Sequence, residues 1–423
     1  MPKRTSIAIP LDLPDIDVLR TEITTRRELV IGVESTLPTA TCHRCGQTID
    51  RFYGYDRPIR LRHLPILGMV VYIELRPKRF RCPFCEGQPT TTQQLDWYTP
   101  KSPFTKAYER QLLLTLINGT LSDVCLKEGD LGPDALLGVI DRWLDAAVDW
   151  RVLPAFSVLG LDEIARKKGH RDDVVVVTAQ CPDGTLHLLG ILPDRTKATV
   201  RNWLFGMPSA VRRGIRTVCV DMWEAYVNAV EEVLPQAAIV IDRFHVAQHY
   251  RDDVDSFRKQ ELKRLRKELP KQDAKRLKHT LWPFRKRKAN LEPDEQDRLD
   301  RLLAYSPALE DAYDLREELT AIFDTTRSKA AGLRRLKAWR HKVEASALTC
   351  FAPFLKLLDT WMDRIANYFR HHQSSGFVEG LNNKLKVLKR RCYGIYNLRH
   401  LFQRITLDLE GYRRFRPTPT PTH

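Results

Sequence analysis

The spacing of hydrophobic and polar positions changes several times along the chain, and those changes divide it. Up to about Thr90, apolar and polar residues alternate in short runs such as MVVYIEL from Met69. That period of two sends successive side chains to opposite faces of a strand, so the region reads as a small β-rich module. The stretch TTTQQLDWYTPKSP carries two prolines and shows no period, which marks 91–103 as a linker. From Phe104 to Trp150 the period lengthens to that of a helix, and three helices are expected. The last opens at Gly132 and Pro133, since proline suits a first helical position. Its apolar residues Leu136, Val139, Ile140, Trp143, Leu144 and Ala147 recur at helical spacing.

The middle of the chain runs SVLGLDEIA from Ser157, DVVVVTAQ from Asp173 and TLHLLGIL from Thr185. A helix near 196–205 follows, then IRTVCVDM from Ile215, a second helix, and AAIVID from Ala237. Three strands, helix, strand, helix, strand is the element order of a ribonuclease H-like fold, and CPDG at Cys181 marks a hairpin between the second and third strands. From His245 to about Phe369 the pattern is helical throughout. The segment SGFVEGLNNKLKVLKRR then changes character, and RPTPTPTH at the end alternates proline in the manner of a disordered tail. The fold class expected is multidomain α/β: a zinc-binding module (1–90), a linker (91–103) and a helix-turn-helix (104–150). A ribonuclease H-like core (151–246) with a helical insertion (247–370) follows, then the final core helices (371–415) and the tail (416–423).

Charge narrows the partners. The formal net charge is +16, a surplus that favours a polyanion over a neutral metabolite. No apolar run is long enough to cross a membrane, and MPKRTSIAIP lacks a secretory core, so a cytosolic protein bound to nucleic acid is expected. Within Arg258–Lys288, 14 Lys or Arg stand against 3 Asp or Glu. Arg258, Lys259, Lys263, Arg266 and Lys267 on that stretch are candidate contacts to DNA phosphates.

Two of the nine cysteines form a CxxC at Cys42 and Cys45, and two more at Cys82 and Cys85. Paired thiolates at that spacing close a four-sulfur zinc site with no open position, which is structural rather than catalytic. His43 and His63 are alternative ligands. In LSDVCLKEGDLGPDALLGVIDRWL from Leu121, a short helix capped by Ser122, a glycine-containing turn and a second helix fit helix-turn-helix spacing, with the second helix in the major groove. A packing hairpin of two helices gives the same pattern.

Asp162 and Asp221 fall where the first and fourth strands of the expected sheet present acids side by side. Strand alternation sends Glu163 to the opposite face. Such a pair needs a counter-charge, which divalent magnesium supplies while it clamps the oxygens of a phosphodiester. A third acid is expected from a late helix, where Glu379, Asn383, Lys386 and Arg390 share one face and Leu381, Leu385 and Leu388 another. Asp242, ending the fifth strand, is the rival acid, and His245 either supports the site or caps the following helix.

The motifs LGLDEIA, VCVDMWEAY, IDRFHVAQHY and VEGLNNKLKVLKRRCYG, followed by YNLRHLFQRI, together with the CxxC pairs, resemble bacterial insertion-sequence transposases of the ISL-three family. The resemblance covers nearly the whole chain. It implies a DDE triad of Asp162, Asp221 and Glu379 holding two Mg2+ ions, with Mn2+ as a substitute, and a structural Zn2+ on the four cysteines. It further implies double-stranded DNA as partner, both transposon ends and target, with Lys386 and Arg390 among the contacts. A homodimer or higher oligomer on DNA, in the bacterial cytoplasm at the nucleoid, and no membrane partner complete the expectation. Cys392 stands where a small or apolar residue would serve the family pattern as well. Two rivals remain open, a DNA-binding protein without chemistry and a ribonuclease H-like nuclease without strand transfer.

Overall fold

In the computed structural model the described residues are 9–165, 173–346, 348–371, 376–391 and 397–416; the side chains of residues 165, 371, 376–382 and 389 are outside the description. The chain forms two compact units. One comprises residues up to Leu144 together with those from Thr406 onward, and the other runs from Asp145 to Ile405.

The first unit begins with β1 (Ile16–Ile23), β2 (Glu28–Ser35), β3 (Ala40–Thr41), β4 (Thr48–Ile49) and β5 (Phe52–Tyr55). It continues with β6 (Ile59–Ile66), β7 (Met69–Leu75), β8 (Lys78–Arg81) and β9 (Thr90–Thr92). A four-stranded sheet in the order β1-β2-β7-β6 buries Val71, Ile73 and Leu75 on one face while Tyr72 and Glu74 point the other way. This is the alternation expected of MVVYIEL. A separate three-stranded sheet, β5-β8-β9, and the β3–β4 hairpin carry the cysteine pairs. The stretch expected as a linker is structured: Thr90–Thr92 pairs with β8, and Leu95, Trp97 and Tyr98 are buried against Ile31, Val33 and Leu61. Its apolar residues pack as individual anchors, so no period announces them.

Three helices follow, α1 (Lys106–Leu116), α2 (Leu121–Glu128) and α3 (Pro133–Trp143). The N-cap of α2 is Thr120 rather than Ser122, because the extended Thr120 accepts the N–H of Asp123 while Ser122 is already inside the helix. Pro133 does open α3 at its first turn, but the helix stops at Trp143, so Ala147 lies beyond it. Glu109, fully buried, is satisfied by Ser102 Oγ (2.7 Å), Arg142 Nε (2.8 Å) and Trp143 Nε1 (2.7 Å), which ties α1 to α3. Leu407 and Phe415, from the far end of the chain, complete this core. They come from the helix Leu398–Phe415, so the segment expected as final core helices contributes to both units.

The second unit is built on β10 (Val158–Ala165), β11 (Asp173–Gln180), β12 (Leu186–Leu192), β13 (Thr217–Val220) and β14 (Ala238–Ile241). The sheet order is β12-β11-β10-β13-β14, antiparallel among the first three strands and parallel from β10 to β14. The CPDG turn closes the β11–β12 hairpin through Cys181 N–H to Thr185 O (2.9 Å), with Gly184 at φ +83, a left-handed conformation that glycine adopts without strain. Val174, Val175, Val176 and Val177 are all buried, the mark of a strand covered on both faces. Between the strands lie α4 (Lys197–Gly206), α5 (Ser209–Gly214) and α6 (Glu224–Val233). The helical stretch begins earlier than expected, with α7 (Arg243–Glu268) springing directly from the end of β14. Later helices include Pro307–Thr325, Lys329–Ala345 and Ala352–Ala366, whose Tyr313, Trp339 and Phe354 are buried with Tyr250 of α7. Among the described residues no helix is long and apolar enough to cross a membrane.

Candidate active site and metal centre

Sheet register brings the acids together. In the parallel β10–β13 pair Gly160 stands opposite Cys219, and two residues further along each strand come Asp162 and Asp221. In the β13–β14 pair Val220 stands opposite Ile241, and one residue further come Asp221 and Asp242. Three carboxylates thus occupy one row across three neighbouring strands. Asp242 caps α7 by accepting the Phe244 N–H (3.0 Å) and is almost fully buried. His245, in the first turn of α7, faces all three. Its Nε2 is 3.8 Å from Asp162 Oδ1 and 3.9 Å from Asp242 Oδ2, and its Nδ1 is 3.7 Å from Asp221 Oδ2.

Burial pushes the Asp162 carboxyl up to about 6, and the charges of Asp242 and Asp221 push the same way, against the Glu163 N–H and His245, which favour the ionised form. Burial and the neighbouring carboxylates thus disfavour a full set of negative charges in the row. Clustered carboxylate oxygens of this kind suit a hard divalent cation such as Mg2+. Glu163 points elsewhere, as strand alternation requires: it pairs with Arg195 (3.0 Å) and accepts the Tyr226 hydroxyl (2.8 Å). Glu379 lies in the helix Gly376–Arg391, which packs against β10; its side chain lies outside the described atoms. On the same helix Leu385 and Leu388 are buried while Asn383, Lys386 and Arg390 are exposed, so the expected packing stripe and polar face are seen at these positions. Leu381 has no described side chain, and Cys392 falls outside the described residues.

The cysteine pairs converge. Cys42 and Cys45 sit in the β3–β4 turn, Cys82 and Cys85 in the turn between β8 and β9, and the four Sγ atoms lie within 4.8 Å of one another. Cys42 and Cys85 are 4.0 Å apart and Cys45 and Cys82 are 3.7 Å apart. A tetrahedral zinc with bonds of about 2.3 Å separates its sulfurs by about 3.8 Å, so the residues fit the ion. Backbone N–H groups of Cys45 and Arg44 draw the Cys42 thiol down to about 6, whereas hydrogen bonding to Cys45 and burial push Cys85 up to about 12. Four thiolates cannot be held this close without a cation. Neither histidine takes part: His43 Nδ1 meets Thr91 Oγ1 (2.9 Å), and His63, buried, meets Thr105 Oγ1 (2.9 Å).

The basic stretch divides. Lys259, Lys263, Arg266 and Lys267 are exposed on α7, but Arg258 is buried, paired with Asp255 (2.9 Å) and set over the Phe284 ring. Arg258 cannot reach a phosphate. It shares a helical stripe with Val254, Leu262 and Leu265, all buried, which is why it turns inward.

Comparison with known proteins defines the class. Residues 159–405, more than half of the chain, match a family model described as a transposase, and residues 38–85 match the zinc-finger of transposases IS204, IS1001, IS1096 and IS1165. Over 396 residues the chain is 29% identical to the transposase for insertion sequence element IS1001 of Bordetella parapertussis, covering 92% of this chain and 93% of that protein. It is 23% identical over 398 residues to the transposase for insertion sequence element IS1557 of Mycobacterium tuberculosis, covering 89% and 87%. The chain belongs to the ISL-three family of DDE-type transposases. Its four-cysteine cluster is the zinc-finger of that family, a structural site.

Proposed function

We propose that this chain binds the ends of an insertion sequence and carries out magnesium-dependent strand cleavage followed by strand transfer, with Asp162, Asp221 and Glu379 as its triad. The observation that carries this is the register that sets Asp162 beside Asp221, on the strand against which the helix of Glu379 packs. The strand order β12-β11-β10-β13-β14 supports a ribonuclease H-like core. Two Mg2+ ions, for which Mn2+ can substitute, would activate the attacking oxygen and neutralise charge on the phosphodiester. The protein's part is to hold the acids on a rigid sheet edge and to align water, and afterwards the freed 3′ hydroxyl, with the phosphorus. The α2–α3 hairpin, turning at Gly129, supports a helix-turn-helix role, with α3 in the major groove.

Incubation of the protein with Mg2+, labelled terminal repeats of its element and a target duplex tests this. A cut end covalently joined to target is expected; cutting without joining would leave a nuclease, and binding without cutting a DNA-binding protein.

Lys386, Arg390 and the exposed residues of α7 are proposed to neutralise DNA phosphates. Replacing Lys259, Lys263, Arg266 and Lys267 together by Gln is expected to flatten the plot of log affinity against log salt by about 0.9 for each phosphate no longer neutralised, with sequence preference kept. An unchanged slope would remove α7 from the DNA surface. A homodimer or larger assembly on two DNA ends is part of the same proposal.

A further inference from the structure

Large aromatic side chains are usually covered, yet two exposed ones follow acids of the carboxylate row within two residues in sequence. Trp223, 39% exposed, lies two residues beyond Asp221, and Phe244, 42% exposed, lies between Asp242 and His245 in sequence. Trp223 is held from several directions. Its N–H donates to the Asp221 carbonyl (2.7 Å) and its own carbonyl accepts the Tyr226 N–H (3.0 Å), which fixes the backbone as α6 begins. Its indole Nε1 donates to the Arg195 carbonyl (3.3 Å), and the Arg195 guanidinium sits 4.3 Å from the ring centroid. Arg195 in turn is anchored by Glu163, whose other oxygen takes the Tyr226 hydroxyl. A chain of contacts from Tyr226 through Glu163 and Arg195 thus ends on one rigid indole that is still open to solvent. Phe244, the second exposed aromatic, meets the His245 ring edge-on at 5.6 Å.

Rigidity removes the entropic cost of ordering an aromatic on binding, and the guanidinium, itself paired with Glu163, lies over one face of the ring and leaves the opposite face for a ligand. An open π face suits a nucleotide base. In an intact duplex both faces of each base are already stacked, so this aromatic can engage only a base that has left the stack. We infer that Trp223, braced by Arg195, receives an unpaired base next to the phosphate held at Asp162 and Asp221, and so stabilises the opened end during cleavage. This rests on the cleavage activity proposed above, and it adds that the chain opens base pairing at the cut.

The test compares cleavage of a fully paired terminal repeat with that of the same repeat carrying a mismatch at the pair beside the cut. Trp223→Ala and Trp223→Leu are expected to slow cutting of the paired end by about 5- to 150-fold, the range that loss of one base–aromatic stack gives. Trp223→Phe, which keeps a π face, should retain most of the rate. On the mismatched end, where opening is no longer needed, the Ala and Leu deficits should shrink to about threefold or less. Metal-free binding of the repeat, measured alongside, shows that the variants are folded. Wild-type rates in Trp223→Leu, equal deficits on both ends, or a change in oligomeric state that accounts for the loss would each overturn the inference. Failure of the wild-type protein to cut either end would instead overturn the proposed activity.

Discussion

Asp162→Ala and Asp221→Ala are each expected to reduce strand cleavage by at least about a thousandfold while the affinity for terminal repeats stays within about twofold. The chemical effect is large because each carboxylate would hold the divalent cation that offsets the charge of a dianionic transition state, where several kcal/mol of stabilisation is at stake and each 1.4 kcal/mol is tenfold in rate. Binding should survive because the zinc module and α1–α3 belong to the other compact unit. Glu379→Ala is expected to behave the same way. Asp242→Ala is the informative contrast. Its carboxylate stands in the same row but also caps α7, so its loss should cost about 1 kcal/mol of stability through the cap alone. Cleavage by Asp221→Ala at the wild-type rate, with Asp242→Ala inactive but folded, would reassign the second acid. Rates measured on a pre-bound labelled end, with thermal melting of each variant, separate these outcomes.

The second large effect is expected at the cysteines. One zinc per chain should be found by elemental analysis, and stripping it should unfold the β3–β4 and β5-β8-β9 region. The small core there consists of Ala40, Ile49 and Phe80 with Cys42 and Cys82, so little apolar surface remains to hold it once the sulfurs are released. Structural zinc contributes about 10–16 kcal/mol in sites of this kind, which exceeds what such a core can supply. The four-stranded sheet has its own core around Val71, Ile73 and Trp97 and should persist. Hydrogen exchange is the measurement: protection lost only around the cysteines is expected on chelation or in Cys82→Ser. A protein with no bound zinc, or one indifferent to its removal, would refute the assignment.

The features legible in the sequence were those set by local periodicity. Alternation in MVVYIEL, the all-valine run of β11 and the CPDG turn each fix a strand or hairpin from neighbouring residues. The pairing of CxxC motifs was legible because the metal chemistry needs that spacing. That Asp162, in the middle of β10, and Asp221, just past the end of β13, come side by side could be read from the strand positions, and that Glu163 points the other way follows from the alternation of the pleat. What escaped depends on packing between residues distant in sequence. Arg258 looks like one more surface cation until Asp255 and Phe284 are seen around it, although its spacing from Val254 and Leu262 is a usable signal. Leu95, Trp97 and Tyr98 read as a linker because isolated anchors have no period. His245 stands out in its motif, but only the fold shows that its ring meets three carboxylates contributed by separate strands.

The first compact unit is interrupted in sequence by the whole of Asp145–Ile405 and is completed only from Thr406 onward. Leu407 and Phe415 fill the core of α1–α3, Phe415 meets Trp143 edge-on at 5.8 Å, and Asp408 accepts the Asn118 N–H (3.1 Å). During synthesis, α1–α3 therefore leave the ribosome long before the residues that close them. Until the last turns are translated, the apolar face of Leu112, Leu136 and Ile140 lacks its final cover. A product cut short before Thr406 by a frameshift or early stop would retain every strand of the second unit, yet its first unit would be missing part of its core. Such a truncation would strike the amino-terminal unit through a lesion at the opposite end of the gene.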